Sequence, residues 1–530
     1  MSFLRSLLLW GATLLFVPAA FATPPERVAV GELATSQVET GLSSEASKPR
    51  LWEALPKPRG LTYGGRLFTS LAPDLRMEGE FEDRFSWTSG LDFRVKYKFA
   101  PTARFQISAK FRYRLRSGDS VESDYWLGLG DTYLALRKGR FSLRVGRMAL
   151  RWGRNPLLSP LSMLSPIDSQ VLFAGAGLED PRIPVTAARL KLDLHPVALE
   201  LTYIPFFQPA RTSFFGRDFS LLRPGMLSAL LGQLSGMVPA TGDVLLDSTI
   251  TRLGEKLSSS LLGLDPYSRD GLQSYLVADL PEEFPWHGDL GLRVGLSFPG
   301  VEADFYGLTY LLDSPSVELA PSLRLPLSQG RQMSLFELND LLDPETELAT
   351  PTYHRAFMAG ADVSVAKGGF VITGEAAWKS RSVQYSRALE AVVVPSIEYA
   401  LAVRYSFGTV FGIDVEFAHR ILVADEVPEL LFADGHYLQL AAMVFGRLMR
   451  DRLELVLGGN WNMLRKDLYL HPKVRVDVHD RLSVVFGAQL FFGFQPDLSG
   501  DLASLQSYRG GLAGYFRDND YVYGNLEFRY

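Results

Sequence analysis

Between Leu91 and Arg116 the chain alternates with a period of two. Leu91, Phe93, Val95, Tyr97 and Phe99, then Ala103, Phe105, Ile107, Ala109, Phe111, Tyr113 and Leu115, are apolar. The positions between them are Asp92, Arg94, Lys96 and Lys98, then Arg104, Gln106, Ser108, Lys110, Arg112, Arg114 and Arg116. Such alternation sets one face of a strand against an apolar medium and the other against water. Ala100-Pro101-Thr102 interrupts the run and supplies the turn.

The pattern recurs. Tight turns are predicted at Lys138-Gly139 between strands 125–137 and 141–152, and at His195-Pro196 between 185–194 and 197–204. Others fall at Pro299-Gly300 between 288–298 and 301–311, and at Lys367-Gly368-Gly369 between 355–365 and 370–379. Gly408-Thr409 joins 396–407 to 410–420, Asp480-Arg481 joins 468–478 to 482–492, and 436–445 pairs with 452–463. Longer segments separate the pairs, at 153–184, 205–287, 312–354, 380–395, 421–435 and 493–520. Short turns at one end and long connections at the other predict a transmembrane antiparallel β-barrel. A first strand near Leu61–Ser70 and a last at 521–530 bring the count to about eighteen, with both ends periplasmic. Ser504–Phe516 is also strand-like, but Gly510, Gly511 and Gly514 weaken it, and it is assigned to the last extracellular loop.

Composition narrows the alternatives. Charged residues make up 21%, too many for a helical membrane protein, and past the N-terminus there is no uncharged apolar run of about 18 residues. The absence of cysteine removes disulfide scaffolds, thiolate metal sites and cysteine nucleophiles. A net charge of −5 gives no reason to expect nucleic acid as a partner. Residues 1–22 have the form of a secretory signal peptide: Arg5, the apolar core Leu7–Val17, and a cleavage pattern at Ala20-Phe21-Ala22. Residues 23–60 then form a periplasmic linker and 61–530 the barrel, placed in the outer membrane of a Gram-negative cell among its lipid and lipopolysaccharide. In the last strand Val522, Leu526, Phe528 and Tyr530 share one face. This ending resembles the C-terminal signal of bacterial outer-membrane proteins, which implies the barrel-assembly machinery as a partner through Phe528 and Tyr530.

The inward positions divide by charge. Arg94, Lys96, Lys98, Arg104, Lys110, Arg112, Arg114, Arg116, Arg137, Arg144, Arg189 and Lys191 give one wall a basic lining. Glu200, Glu302, Asp304, Asp362, Glu375, Glu398, Asp414, Glu416 and Glu454 make the other acidic, against Arg293, Arg355, Lys379 and Arg404. Facing charges can simply neutralise one another, or the basic wall can favour anionic groups in a polar conduit. Two connections could fill the lumen. Residues 147–184 carry Leu157, Leu158, Leu161, Met163 and Leu164 among five prolines, too apolar to sit in water, and are expected on the rim or in the pore. Residues 205–287 are expected to form a large extracellular loop containing short helices, with Leu246, Ile250, Leu253, Leu257 and Leu261 on one helical face, capping the mouth.

The stretch Val145-Gly146-Arg147, Trp152-Gly153-Arg154-Asn155-Pro156 and Pro166-Ile167-Asp168 resembles a strand-and-loop segment of outer-membrane barrels that include alginate-export-type channels and polysaccharide-export porins. The resemblance implies a conduit for an exopolysaccharide or capsule polymer, with a periplasmic export protein as partner. A diffusion porin for small polar or anionic solutes is the alternative, and a structural or surface-attachment barrel the third reading. No HExxH, GxSxG or P-loop is present, so an enzyme is not expected. The nearest approach to a catalytic cluster is His419, His436, Asp425 and Asp434 around one outer loop. No cofactor or metal is implied.

Overall fold

A computed structural model describes residues 60–75, 85–117, 121–174, 180–211, 219, 252, 255–256, 288–329, 331–343, 345–386, 390–430, 434–494 and 510–530. The signal peptide, nearly all of the linker and the helical face at 246–261 lie outside these residues. The alternating segments form one antiparallel sheet that closes on itself, because β1 (Leu61–Pro73) pairs with both β2 (Phe85–Ala100) and β21 (Tyr521–Arg529). In order between them run β3 (Ala103–Ser117), β4 (Val121–Leu129), β5 (Thr132–Lys138), β6 (Phe141–Met148), β7 (Val185–Leu194), β8 (Val197–Ile204), β9 (Asp289–Phe298) and β10 (Val301–Leu311). The circuit continues through β13 (Arg355–Lys367), β14 (Phe370–Tyr385), β15 (Ala391–Phe407), β16 (Phe411–Leu422), β17 (His436–Leu448), β18 (Leu453–Asn462), β19 (Asp467–His479) and β20 (Leu482–Gly493). β4 and β5 are two halves of one crossing, both paired with β3, so the barrel has eighteen crossings.

The outward face is apolar. Leu91, Phe93, Tyr97, Phe99, Phe105, Ile107 and Phe111 are exposed, as alternation requires of a wall that meets hydrocarbon. All eight tight turns lie at one end, together with Tyr530, whose backbone exchanges hydrogen bonds with Gly65. The opposite end carries the long connections, although Ser117–Val121, Tyr385–Ala391 and Asn462–Asp467 are joined by only a few residues.

Several boundaries differ from the sequence expectation. The strand predicted over 141–152 stops at Met148, because Ala149 donates its N–H to Asp131 and the chain turns into the lumen. The strands predicted over 370–379 and 396–407 extend to Tyr385 and back to Ala391. Gly510–Phe516, by contrast, lies in the last loop as expected, with 504–509 outside the described residues: Leu512–Tyr515 is a short helix, and Asp467 on the wall accepts the N–H groups of Ala513 and Gly514.

The hydrophobic core lies inside the barrel. Met148, Leu150, Trp152, Leu161 and Leu164 of the inward segment pack with Tyr306, Leu308 and Tyr310 on β10. The connection after β10 adds β11 (Ser316–Leu319), β12 (Ala349–Thr352) and helices Pro321–Gln329 and Leu335–Leu342, whose Leu323, Leu338 and Leu341 join the same cluster.

Candidate functional site

Residues 149–168 cross the lumen and dock on the acidic wall. Gly153 takes φ +81°, which bends the backbone so that consecutive N–H groups point at the wall. Glu375 accepts hydrogen bonds from the N–H of Arg154 (2.5 Å) and Asn155 (2.6 Å) and from Ser159 Oγ (2.6 Å). Glu416 accepts from Leu157 N–H (3.0 Å) and Leu158 N–H (2.6 Å), and Trp152 Nε1 donates to Glu200 at 3.1 Å. The Arg154 guanidinium meets three carboxylates, with Nε 2.6 Å from Asp362 and its terminal nitrogens on Glu302 and Asp304. Burial works against the charge on Arg154, but Glu302, Asp362 and Asp304 outweigh it and raise the guanidinium pKa above its ordinary value.

Cations on neighbouring strands share Glu200 and Asp304 with the loop and also meet Asp414 and Glu398. Arg189 reaches Glu200 at 2.6 Å, Arg293 reaches Asp304 at 2.8 Å, Arg404 reaches Asp414 at 2.6 Å, and Lys379 reaches Glu398 at 2.5 Å. Glu200, Asp304, Asp362, Glu375, Asp414 and Glu416 are all buried, while Glu302 stays half-exposed at the edge of the loop. An inward carboxylate row without such partners would repel itself, so loop and wall complete each other.

The basic wall is differently placed. Arg94, Lys96, Lys98 and Arg104 are exposed on the inward face near the tight-turn end, with Lys98 directly opposite Arg104. Lys110, Arg114, Arg144 and Arg189 are half-buried, and Arg112 and Arg116 are buried. Arg112 bonds Asp92 at 2.6 Å, which also takes Arg66 at 2.8 Å. Phe68 lies between these two cations, its ring centroid 4.8 Å from each guanidinium carbon. Gly90 permits this, since a Cβ there would come within 2.5 Å of the ring.

The structure thus gathers Trp152, Arg154 and Asn155 with the acidic positions, and Pro156 leads into the Leu157–Leu158 contact. Asp168 sits apart, where it accepts the N–H of Val171 at the start of helix Ser169–Ala174. Residues that alternation did not single out include Ser159, Phe68, and Tyr306, whose hydroxyl donates to Asp362 at 2.5 Å. Around the outer loop His419 meets Tyr399 (2.6 Å) and His436 (3.2 Å), and Asp434 is held by Arg465 at 3.0 Å. No histidine–carboxylate pair forms there among the described residues.

A family described as "Protein of unknown function (DUF1302)" matches residues 112–403, more than half of the 530-residue chain, from β3 to β15. The chain belongs to the DUF1302 family. No curated protein matches the sequence of this DUF1302 member. Among solved structures it is similar in fold to OccAB1 of Acinetobacter baumannii, at 8% identity and TM-score 0.45 over 89% of this chain and 96% of that one. It is also similar to OccK5 (OpdH) of Pseudomonas aeruginosa, at 10% identity and TM-score 0.41 over 89% and 96%. The outer membrane channel DcaP of Acinetobacter baumannii follows, at 8% identity and TM-score 0.37 over 89% and 97%.

Proposed function

We propose that this DUF1302 member is a non-enzymatic outer-membrane channel whose passage runs along the basic wall and favours small anionic solutes. The observation that carries the reading is the unequal fate of the two walls. Residues 149–168 dock on five buried carboxylates, Glu200, Asp304, Asp362, Glu375 and Glu416, whereas Arg94, Lys96, Lys98 and Arg104 are exposed towards the lumen. A passage lined by one sign of charge concentrates counter-ions of the other. Planar-bilayer reversal potentials in a KCl gradient test it. Wild type is expected to prefer chloride, and Lys96→Glu with Lys98→Glu to move the potential towards potassium, most at low salt where screening is weakest. An unchanged potential would remove the basic wall from the account. Export of a polysaccharide is the second reading, and one contact favours it. Phe219, in the connection between β8 and β9, is buried against Phe491, Phe516 and Tyr521 on the far side of the mouth, as a gated conduit would require.

A further inference from the structure

Among the described residues the wall is incomplete beside β4. Its nine residues, Val121–Leu129, pair with β3 alone among the described residues. β6 stops at Met148, β7 begins at Val185, and the chain between them turns into the lumen. At ~3.3 Å per residue the open edge is roughly 30 Å long. The ladder fixes its height. Leu129, Leu127 and Tyr125 lie opposite Ala109, Phe111 and Tyr113, in the outer half of the apolar band that runs from Phe105 up to Trp87 and Leu115. Tyr125 and Leu127 are 80% and 73% exposed, well above the lipid-facing residues of the paired strands, so they stand clear of the other described residues.

This interruption is built into the wall. Between Leu129 and Leu134 the strand uses one residue more than β3 does between Ala109 and Phe105, a bulge that reverses which positions face outward. Ser108 pins it, its carbonyl accepting from Gly130 N–H (3.0 Å) and its hydroxyl donating to the Asp131 carbonyl (2.8 Å). The Asp131 carboxylate accepts the N–H of Ala149 (3.0 Å), where β6 leaves the wall. Arg147, two residues beyond the lipid-facing Val145, sits at the lower corner of the opening and donates Nε–H to the Leu129 carbonyl at 3.3 Å.

Unpaired backbone groups at membrane depth persist only where they are buried in protein or line a water-filled space. A charge facing hydrocarbon at that depth is costly, but it costs little beside water. With no described strand but β3 paired to β4, a wet opening continuous with the lumen accommodates both the open edge and Arg147. Its outer rim is apolar. Inside, Trp126 is 40% exposed on the face it shares with Arg112, one rung from Lys110.

We propose that this opening is a lateral port for a single-chain amphiphile with an anionic head, a long-chain carboxylate being the simplest. The head moves along the wet edge past Arg147 while the hydrocarbon chain stays in the bilayer. The proposal goes beyond ion selectivity, and the reversal-potential measurement leaves it untouched in either outcome.

Palmitate is the probe, and the cysteine-free chain makes introduced thiols clean reporters. Trp126→Cys and, as a remote inward control, Lys96→Cys are reconstituted in phosphatidylcholine vesicles and modified with a water-soluble maleimide. Palmitate is expected to slow modification at position 126 and not at position 96. Adding Arg147→Gln should weaken that protection about tenfold, the loss of one charge-assisted contact. Heat-modifiability on gels confirms that each variant is folded. No protection at position 126, or equal protection at both positions, overturns the proposal. So does efficient disulfide dimerisation of Tyr125→Cys that palmitate leaves unchanged, because the open edge would then be paired with a second copy.

Discussion

Arg154 shows how much rests on a single side chain. It faces Glu302, Asp304 and Asp362 on two strands, and no other loop cation bonds those three carboxylates among the described residues. Breaking a buried ion cluster by removing one partner typically costs about 3–5 kcal/mol, because the remaining charges stay desolvated. Arg154→Ala is therefore expected to lower unfolding stability by that order, read from denaturant midpoints in detergent. Arg154→Lys should recover only part of the loss, since an ammonium cannot span three acceptors with a planar fork. Both halves of this cluster were legible as types in the sequence: Arg154 as part of a loop motif, and the acidic positions by alternation. Their pairing was not. Arg154 and Asp362 are 208 residues apart, and no local spacing encodes which wall a loop will meet.

At the scale of elements, alternation gave the strands that lie in the membrane and misread their ends. A strand must alternate only while one face meets hydrocarbon. The outer part of β14, with Ser380, Ser382 and Gln384, has left the apolar band and needs no apolar alternation, so it read as a loop. The bulge at Gly130–Asp131 was hidden for a different reason. Tyr125, Leu127 and Leu129 are apolar at odd positions and Leu134 and Leu136 at even ones, and a single extra residue between them passes as noise in one continuous strand. Phe219 gives a prediction at this scale. Its ring lies 5.2 Å from Phe516 and 5.4 Å from Phe491, holding one connection across the mouth. Removing a buried Phe ring forfeits about 3–5 kcal/mol of packing. Phe219→Ala should accordingly raise open probability or single-channel conductance while the barrel keeps its heat-modifiable mobility. Conductance equal to wild type would mean that this contact does not restrict the passage.

For the whole molecule, the organising feature is a lumen divided between two tasks. One wall binds the inward segment, and the other, in the function proposed above, lines the passage. The matching stretch of the DUF1302 family, residues 112–403, contains the inward segment and its partners Glu200, Glu302, Asp304, Asp362 and Glu375, but not Glu416, Lys96 or Lys98. The most direct measurement compares thiol access on the two walls. Thr373 is inward-facing and buried on the docked side, whereas Lys96 is exposed on the open side. With Lys96→Cys, a sulfonated methanethiosulfonate should react readily and faster than its trimethylammonium counterpart. With Thr373→Cys, neither reagent should react until Arg154→Ala loosens the loop. If the two positions react at equal rates in the otherwise wild-type protein, or if the cationic reagent is the faster at position 96, the division of the lumen is contradicted.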